Sequence, residues 1–211
     1  MGTGRLEAFS DGVFAVAITL LVLDVRPPAE AETSSDLWRG LGDLWPHYAA
    51  YAVSFLVIGI VWVNHHAVME VIARADRELI FLNLMLLMTI ALIPFGTALI
   101  AEYLTHGHAD HAAAAAYSIV LALMGAAFGA LWLYASARDG RLLVDDFPRA
   151  ELPRVTRRFV VGTPVYVAAI GVAFVSAVAC LALHAALAIY YALARRGGGL
   201  TLAHSARGVD P

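Results

Sequence analysis

A carboxylate and a hydroxyl stand side by side inside the first apolar segment of the chain, and two histidines stand side by side at the end of the second. These pairs are Ser10-Asp11 and His65-His66. Ionisable groups within a membrane-spanning segment are costly and usually face a partner or a cavity, so each pair is a candidate functional site. The chemistry open to them is proton relay, metal ligation or hydrogen bonding between helices. Adjacent helical residues point about 100° apart, so His65 and His66 cannot easily ligate one metal ion together.

The segments that carry these side chains are too apolar for a protein dissolved in water. The chain has 61% hydrophobic and 15% charged residues, and its mean hydropathy is +0.74. A soluble domain has roughly 45–50% apolar and about 25% charged residues. The sequence therefore predicts an all-α membrane protein built from spans of about 20 residues. It has no nucleotide motif and no nucleophile-and-base set, so we do not expect an enzyme. It also has no loop of the kind that supplies a carbonyl selectivity filter.

Apolar runs and arginine content predict the spans and their orientation. Helices are expected at about residues 5–25, 46–68, 79–103, 112–136, 157–175 and 178–195, in one transmembrane domain of residues 1–196 followed by a flexible cytoplasmic tail, 197–211. All 14 basic residues are arginine, and twelve of them fall on one side of the membrane, which the positive-inside rule assigns to the cytoplasm. Arginine-rich segments flank the last apolar run, so it must cross twice, turning near Ser176. Six spans with both termini in the cytoplasm follow.

The first span carries an aliphatic stripe and the polar pair on different faces. At 100° per residue, Val16, Leu20 and Leu23 lie within about 60° of one another. Ser10 and Asp11 point more than about 100° away from Val16. We therefore expect the polar pair to bind another helix. The residues alone allow the stripe to face lipid, a packed neighbour or a pore.

Polar residues at the same depth in the second and third spans are the natural partners of Ser10-Asp11. The second span ends in Trp62-Val63-Asn64-His65-His66, and Asn83 lies near the start of the third. The alternative is a proton-coupled secondary transporter that uses Asp11 with His65 and His66. The chain shows no inverted repeat and no broken helix pair of the kind that transporters use. On the other side of the membrane, Glu102, His106, His108 and His111 are spaced loosely enough to bind a divalent ion, but a histidine-rich surface loop more often binds nothing specific, so we expect no metal site.

One motif resembles a known family. Arg5-x-x-x-Phe9-Ser10-Asp11 resembles the signature of the lysosomal potassium channel family known as transmembrane protein 175. Trp62-x-x-His65-His66 and residues 92–103 look like the prokaryotic branch of that family. The resemblance covers roughly residues 4–103 in sequence, and the remaining spans in architecture only.

The resemblance implies a potassium channel that is modestly selective over sodium. In such a channel four identical subunits surround a pore lined by helix 1, and the aliphatic constriction conducts when it wets, as a hydrophobic gate. The implied constriction is Val16, Thr19, Leu20 and Leu23, with Val16 narrowest, where the family often has Ile or Leu. The partners implied are other copies of the chain, membrane lipid and permeant monovalent cations, with no nucleic acid and no cofactor besides permeant K⁺. The implied location is the cell membrane of a bacterium.

A second set of residues is implied to join helices 1, 2 and 3 rather than to bind ions or metal. This signature set comprises Arg5, Phe9, Ser10, Asp11, Trp62, Asn64, His65, His66 and Asn83.

Overall fold

The computed structural model describes residues 3–28, 31–105, 109–140 and 142–194. Every regular element in those ranges is helical, which confirms the all-α class. The elements are α1 (Gly4–Leu20), a 3₁₀ turn (Leu21–Asp24), α2 (Ser34–Asp43), α3 (Trp45–Glu70), α4 (Arg77–Ala91), α5 (Ile93–Tyr103), α6 (Ala109–Gly140), a 3₁₀ turn (Arg149–Glu151), α7 (Leu152–Ala173) and α8 (Ala177–Ala194). The expected tail, residues 197–211, lies outside the described residues.

Within the described ranges, five helical segments are long and apolar enough to cross a membrane. They are Gly4–Asp24, Trp45–Glu70, Arg77–Tyr103, Ala109–Ala137 and Arg149–Ala173. A shorter apolar helical stretch, Ala177–Tyr191, follows them. Only helices that satisfy their own backbone hydrogen bonds, or closed barrels, span a bilayer, so this pattern defines a polytopic membrane protein.

The third span consists of two helices that meet at Leu92. α4 ends at Ala91 and α5 starts at Ile93, with Pro94 in its first turn. Proline has no N–H for the carbonyl four residues earlier, which explains why the helix is interrupted here. Taken together, Arg77–Tyr103 is long and apolar enough to cross a membrane as one segment.

Small residues and backbone pairing hold the helices close together. A methyl group on Gly96 of α5 would lie 3.3 Å from Tyr117 Cδ2 of α6, so glycine permits the close approach. At the end where the arginines cluster, Ala73 N–H donates to the Leu142 carbonyl (2.9 Å), which joins the α3–α4 link to the α6–α7 link. Asp76 caps α4 by accepting from Leu79 N–H at 3.0 Å. These contacts fix the start of α4, which carries Asn83.

Two elements differ from the sequence expectation, and both have local causes. The link after the first span contains α2, whose start is fixed by a capping box between Thr33 and Asp36. α7 starts at Leu152 rather than near residue 157 because Pro153 sits in its first turn, where the missing N–H costs nothing. α7 and α8 are separate helices, joined by a turn at residues 174–175 that is followed by Ser176.

Candidate functional site: the two faces of helix 1

One face of α1 is buried against the rest of the bundle. Ser10, Phe14, Ala17 and Leu21 follow each other at spacings of four, three and four residues, and none is more than 3% exposed. This spacing is the helical repeat of a single face. α1 packs through this face on α3 and α4.

Two parallel contacts tie the first two turns of α1 to the last two turns of α3. Trp62 Nε1–H donates to Asp11 Oδ1 at 2.9 Å, and His66 Nδ1–H donates to Glu7 Oε1 at 2.7 Å. Glu7 and Asp11 are four residues apart, and so are Trp62 and His66, so each pair lies on one helical face. The Trp62 indole stacks on the His66 ring, with centroids 6.3 Å apart. The result is a two-rung ladder between antiparallel helices.

A fully buried chain of hydrogen bonds ties α1 to α4 and α4 to α3. Asn83 Nδ2–H donates to Ser10 Oγ at 3.0 Å, and the Ser10 hydroxyl donates to the Leu6 carbonyl at 2.8 Å. Asn83 Oδ1 accepts from His65 Nε2 at 2.8 Å, which places the proton of the neutral ring on that nitrogen. Asn83, Ser10 and His65 are each 0% exposed. A short polar bridge thus joins three helices.

The opposite face of α1 is an exposed aliphatic stripe in this single chain. Val16 is 57% exposed, Leu20 42% and Leu23 65%, and Phe9 continues the line at 55%. Val16, Leu20 and Leu23 are called the stripe below. Large apolar side chains gathered on one helical face mark a surface that contacts another molecule, lipid or a pore lumen.

The 3₁₀ turn after α1 aligns Leu20 and Leu23, the last two residues of the stripe. Residues three apart eclipse each other in a 3₁₀ helix, whereas in an α-helix they are about 60° apart. Leu23 belongs to the turn Leu21–Asp24, so it lies nearly in line with Leu20. Pro27 and Pro28 follow and end the span. The turn thereby produces a straighter row of leucines than an uninterrupted α-helix would.

Thr19 is also exposed, and its hydroxyl proton is used in a hydrogen bond within α1. Thr19 Oγ1 donates to the Ala15 carbonyl at 2.8 Å and lies 3.0 Å from the Val16 carbonyl. A hydroxyl has one donor and two acceptor lone pairs. The group that Thr19 presents beside the stripe is therefore an acceptor oxygen, which suits a cation.

Three members of the signature set lie apart from the ladder and the buried bridge. Arg5 and Phe9 are on the exposed side of α1, and Arg5 has no ion pair or hydrogen bond within the described ranges. Asn64 points into a cleft lined by α6, α7 and α8. Glu7 belongs to the ladder although the motif does not include it. Its position four residues before Asp11 is the signal that identifies it.

The described residues hold no group of three or more His, Cys, Asp or Glu side chains that could bind a metal ion. His106 and His108 lie outside the described residues. His111 Nδ1–H donates to the Ala173 carbonyl at 2.7 Å, which joins the start of α6 to the end of α7.

The described residues form an all-helical bundle with five segments long and apolar enough to cross a membrane, so the chain is a polytopic membrane protein. The model of the endosomal/lysosomal potassium channel TMEM175 family matches residues 5–94. The chain is 54% identical to a potassium channel of Streptomyces collinus, over 90% of this chain and 91% of the relative. It is 41% identical to a potassium channel of Chamaesiphon minutus, over 90% and 94%.

A crystal structure agrees with the sequence comparisons. A lysosomal potassium-selective channel TMEM175 homolog from Chamaesiphon minutus superposes with a TM-score of 0.82 at 39% identity, covering 91% of this chain and 97% of the other. The chain belongs to the TMEM175 family, and these relatives are named as channels rather than enzymes.

Proposed function

We propose that this chain is the subunit of a homotetrameric potassium channel whose pore is lined by the stripe of α1. Each subunit spans the bacterial cell membrane six times, with α8 as the sixth span and both termini in the cytoplasm. Potassium passes with modest preference over sodium. The potassium channels among its relatives support the ion, and the distribution of arginines supports the orientation.

The observation that carries the proposal is the division of α1 into an anchored face and a free face. Glu7, Ser10 and Asp11 bond to other helices of the subunit. Val16, Leu20 and Leu23 remain exposed. A helix with this arrangement is suited to face a shared axis.

An aliphatic constriction imposes a particular mechanism of conduction. Val16, Leu20 and Leu23 offer no oxygens to replace the hydration shell of an ion, so conduction requires the ring to widen and admit water. Potassium keeps an advantage because sodium, the smaller ion, loses its water less readily. The Thr19 oxygen is an acceptor close to the constriction and lowers the cost of passage for a partly dehydrated cation.

We expect passive potassium flux through purified protein in liposomes, altered by Val16→Ala and by Leu23→Ala. Each substitution shortens side chains that converge in the proposed tetramer, so the constriction widens and wets more readily. Potassium efflux followed with a fluorescent indicator measures the effect.

Val22→Ala is the matched control for these two variants. Val22 is 53% exposed on the same turn but lies about 120° from Leu23. Flux that needs a proton gradient and ignores both stripe variants would make the protein a transporter instead. Equal effects of the stripe variants and of Val22→Ala would show that the stripe of α1 does not line the pore.

Val16→Ile should increase the preference for potassium over sodium. The substitution adds one methylene per subunit at the ring expected to be narrowest, so ions must shed more water to pass. Reversal potentials under bi-ionic conditions measure the change. Equal selectivity in wild type and variant would show that Val16 does not set the constriction.

A further inference from the structure

A second candidate site is a cleft between four helices of the subunit. α3, α6, α7 and α8 enclose a volume of about 60 Å³. One water requires roughly 10–15 Å³ by this measure, so the cleft holds a group of a few heavy atoms. Its described lining is mostly apolar, and its hydrogen-bonding side chains are Asn64, Thr163, Tyr166 and Tyr191.

Three uncharged hydrogen-bonding side chains of this cleft have no partner among the residues that the structure describes. They are Asn64, Thr163 and Tyr166. Tyr166 is only 9% exposed as a whole residue, so most of its side chain is enclosed by the walls of the cleft. Elsewhere in the bundle buried hydroxyls are paired, as for Tyr117 with Ser54 at 2.9 Å. Thr163 and Tyr166 therefore differ from the buried hydroxyls elsewhere in the described bundle, such as those of Ser54, Thr97 and Ser118, which are paired.

Unpaired polar groups inside a membrane span are costly, which favours a ligand that pairs with them. Among the residues whose side chains the structure describes, the lining carries no charged group. An ionised phosphate or carboxylate would find no counter-charge there, whereas a hydroxyl or an ester carbonyl would find donors and acceptors. The polar part of the ligand is therefore neutral.

The position of the cleft identifies the source of the ligand. α1 packs on α3 and α4, and the cleft is formed largely by α6, α7 and α8, which lie away from the stripe. Tyr190 is exposed, and its ring lies 5.5 Å from that of Tyr191, which lines the cleft. Tyrosine is enriched where membrane proteins meet the lipid interface. A membrane lipid is therefore the ligand source that fits a cleft between apolar helices away from the stripe.

We propose that this cleft binds a neutral acylglycerol from the membrane, with its glycerol hydroxyl or ester group on Asn64, Thr163 and Tyr166. The acyl chains lie along the apolar rim formed by Phe128 and Phe159. Such a site is small, mostly apolar and provided with a few polar groups that fix orientation.

Packing contacts between the helices hold the walls of the cleft. The Tyr166 ring stacks on His184 with centroids 5.8 Å apart, and His184 Nε2 bonds the Ser118 hydroxyl at 2.9 Å. A methyl group on Gly125 would lie 3.2 Å from Tyr166 Cδ2, and one on Gly162 would lie 3.1 Å from Tyr191 Oη. Glycine at these two positions keeps the space open.

Native mass spectrometry of the full chain, purified in detergent and titrated with dioleoylglycerol, tests the proposal. Wild type should retain the lipid and gain roughly 3–6 °C in Tm when the lipid is at about ten times its Kd. Thr163→Val and Tyr166→Phe remove only hydroxyls and should each weaken retention, by about tenfold in the double variant. Tyr190→Phe removes an exposed hydroxyl outside the cleft and should change nothing.

The readout is independent of ion flux, so it stands or falls separately from the proposed channel function. Equal retention by wild type and the double variant would overturn the site. Failure of wild type to retain dioleoylglycerol would also overturn it, because water alone would then satisfy the cleft. Tighter retention of oleate or phosphatidylglycerol than of dioleoylglycerol, lost in the double variant, would overturn the neutral chemistry.

Discussion

Replacing Asn83 by leucine should lower the free energy of unfolding by about 1–3 kcal/mol, because it leaves the buried His65 Nε2–H without an acceptor. Asn83 is the only side chain among the described residues that bonds both Ser10 of α1 and His65 of α3. Its loss also removes the buried bond to α1. For a chain of this length the change corresponds to a fall in Tm of roughly 2–12 °C. A thermal melt in lipid-free detergent measures it.

Asn64→Leu is the matched control, with the same chemical change and the opposite expected sign. Asn64 has no hydrogen-bond partner in the part of the chain that the structure describes. Replacing its unpaired amide by an apolar group removes a desolvation cost, so Tm should hold or rise. If Asn83→Leu and Asn64→Leu lowered Tm equally, the buried bridge would have no special role in holding α1.

The helices themselves were largely predictable, because a bilayer forces each crossing segment to satisfy its own backbone. Apolarity and length therefore place the spans to within a few residues. The buried and exposed faces of α1 were also predictable, since Val16, Leu20 and Leu23 share a helical face that Ser10 and Asp11 do not. Periodicity carries this information within a single helix.

The partners of those faces were harder to predict because they depend on how two helices are aligned. The Glu7–His66 contact follows only once Asp11 is placed opposite Trp62 in antiparallel helices. Asn64 shows the same limit in another way. It is next to His65 in sequence, but about 100° around the helix, and so it faces the cleft rather than the bridge. The 3₁₀ turn that aligns Leu23 with Leu20 depends on local backbone hydrogen bonding, and hydrophobic periodicity does not reveal it.

Leu20→Asn should have the largest effect on permeation. In the proposed tetramer it places four amides in the middle of the aliphatic constriction, where the barrier to conduction is the absence of water. Polar groups there stabilise water and cations in the pore. Each 1.36 kcal/mol removed from the barrier is tenfold in rate, so we expect potassium flux to rise at least about tenfold. The preference over sodium should fall, since a wetted ring no longer requires ions to shed water.

Val22→Asn separates this mechanism from a general loosening of α1. Val22 and Leu20 both belong to the exposed surface near the end of the span, at 53% and 42%. They point about 120° apart in the 3₁₀ turn, so Val22 is not in the stripe. Liposome flux and reversal potentials should change strongly for Leu20→Asn and little for Val22→Asn. Matching changes in both variants would mean that ions do not pass along the stripe, because permeation would then not depend on which side of α1 becomes polar.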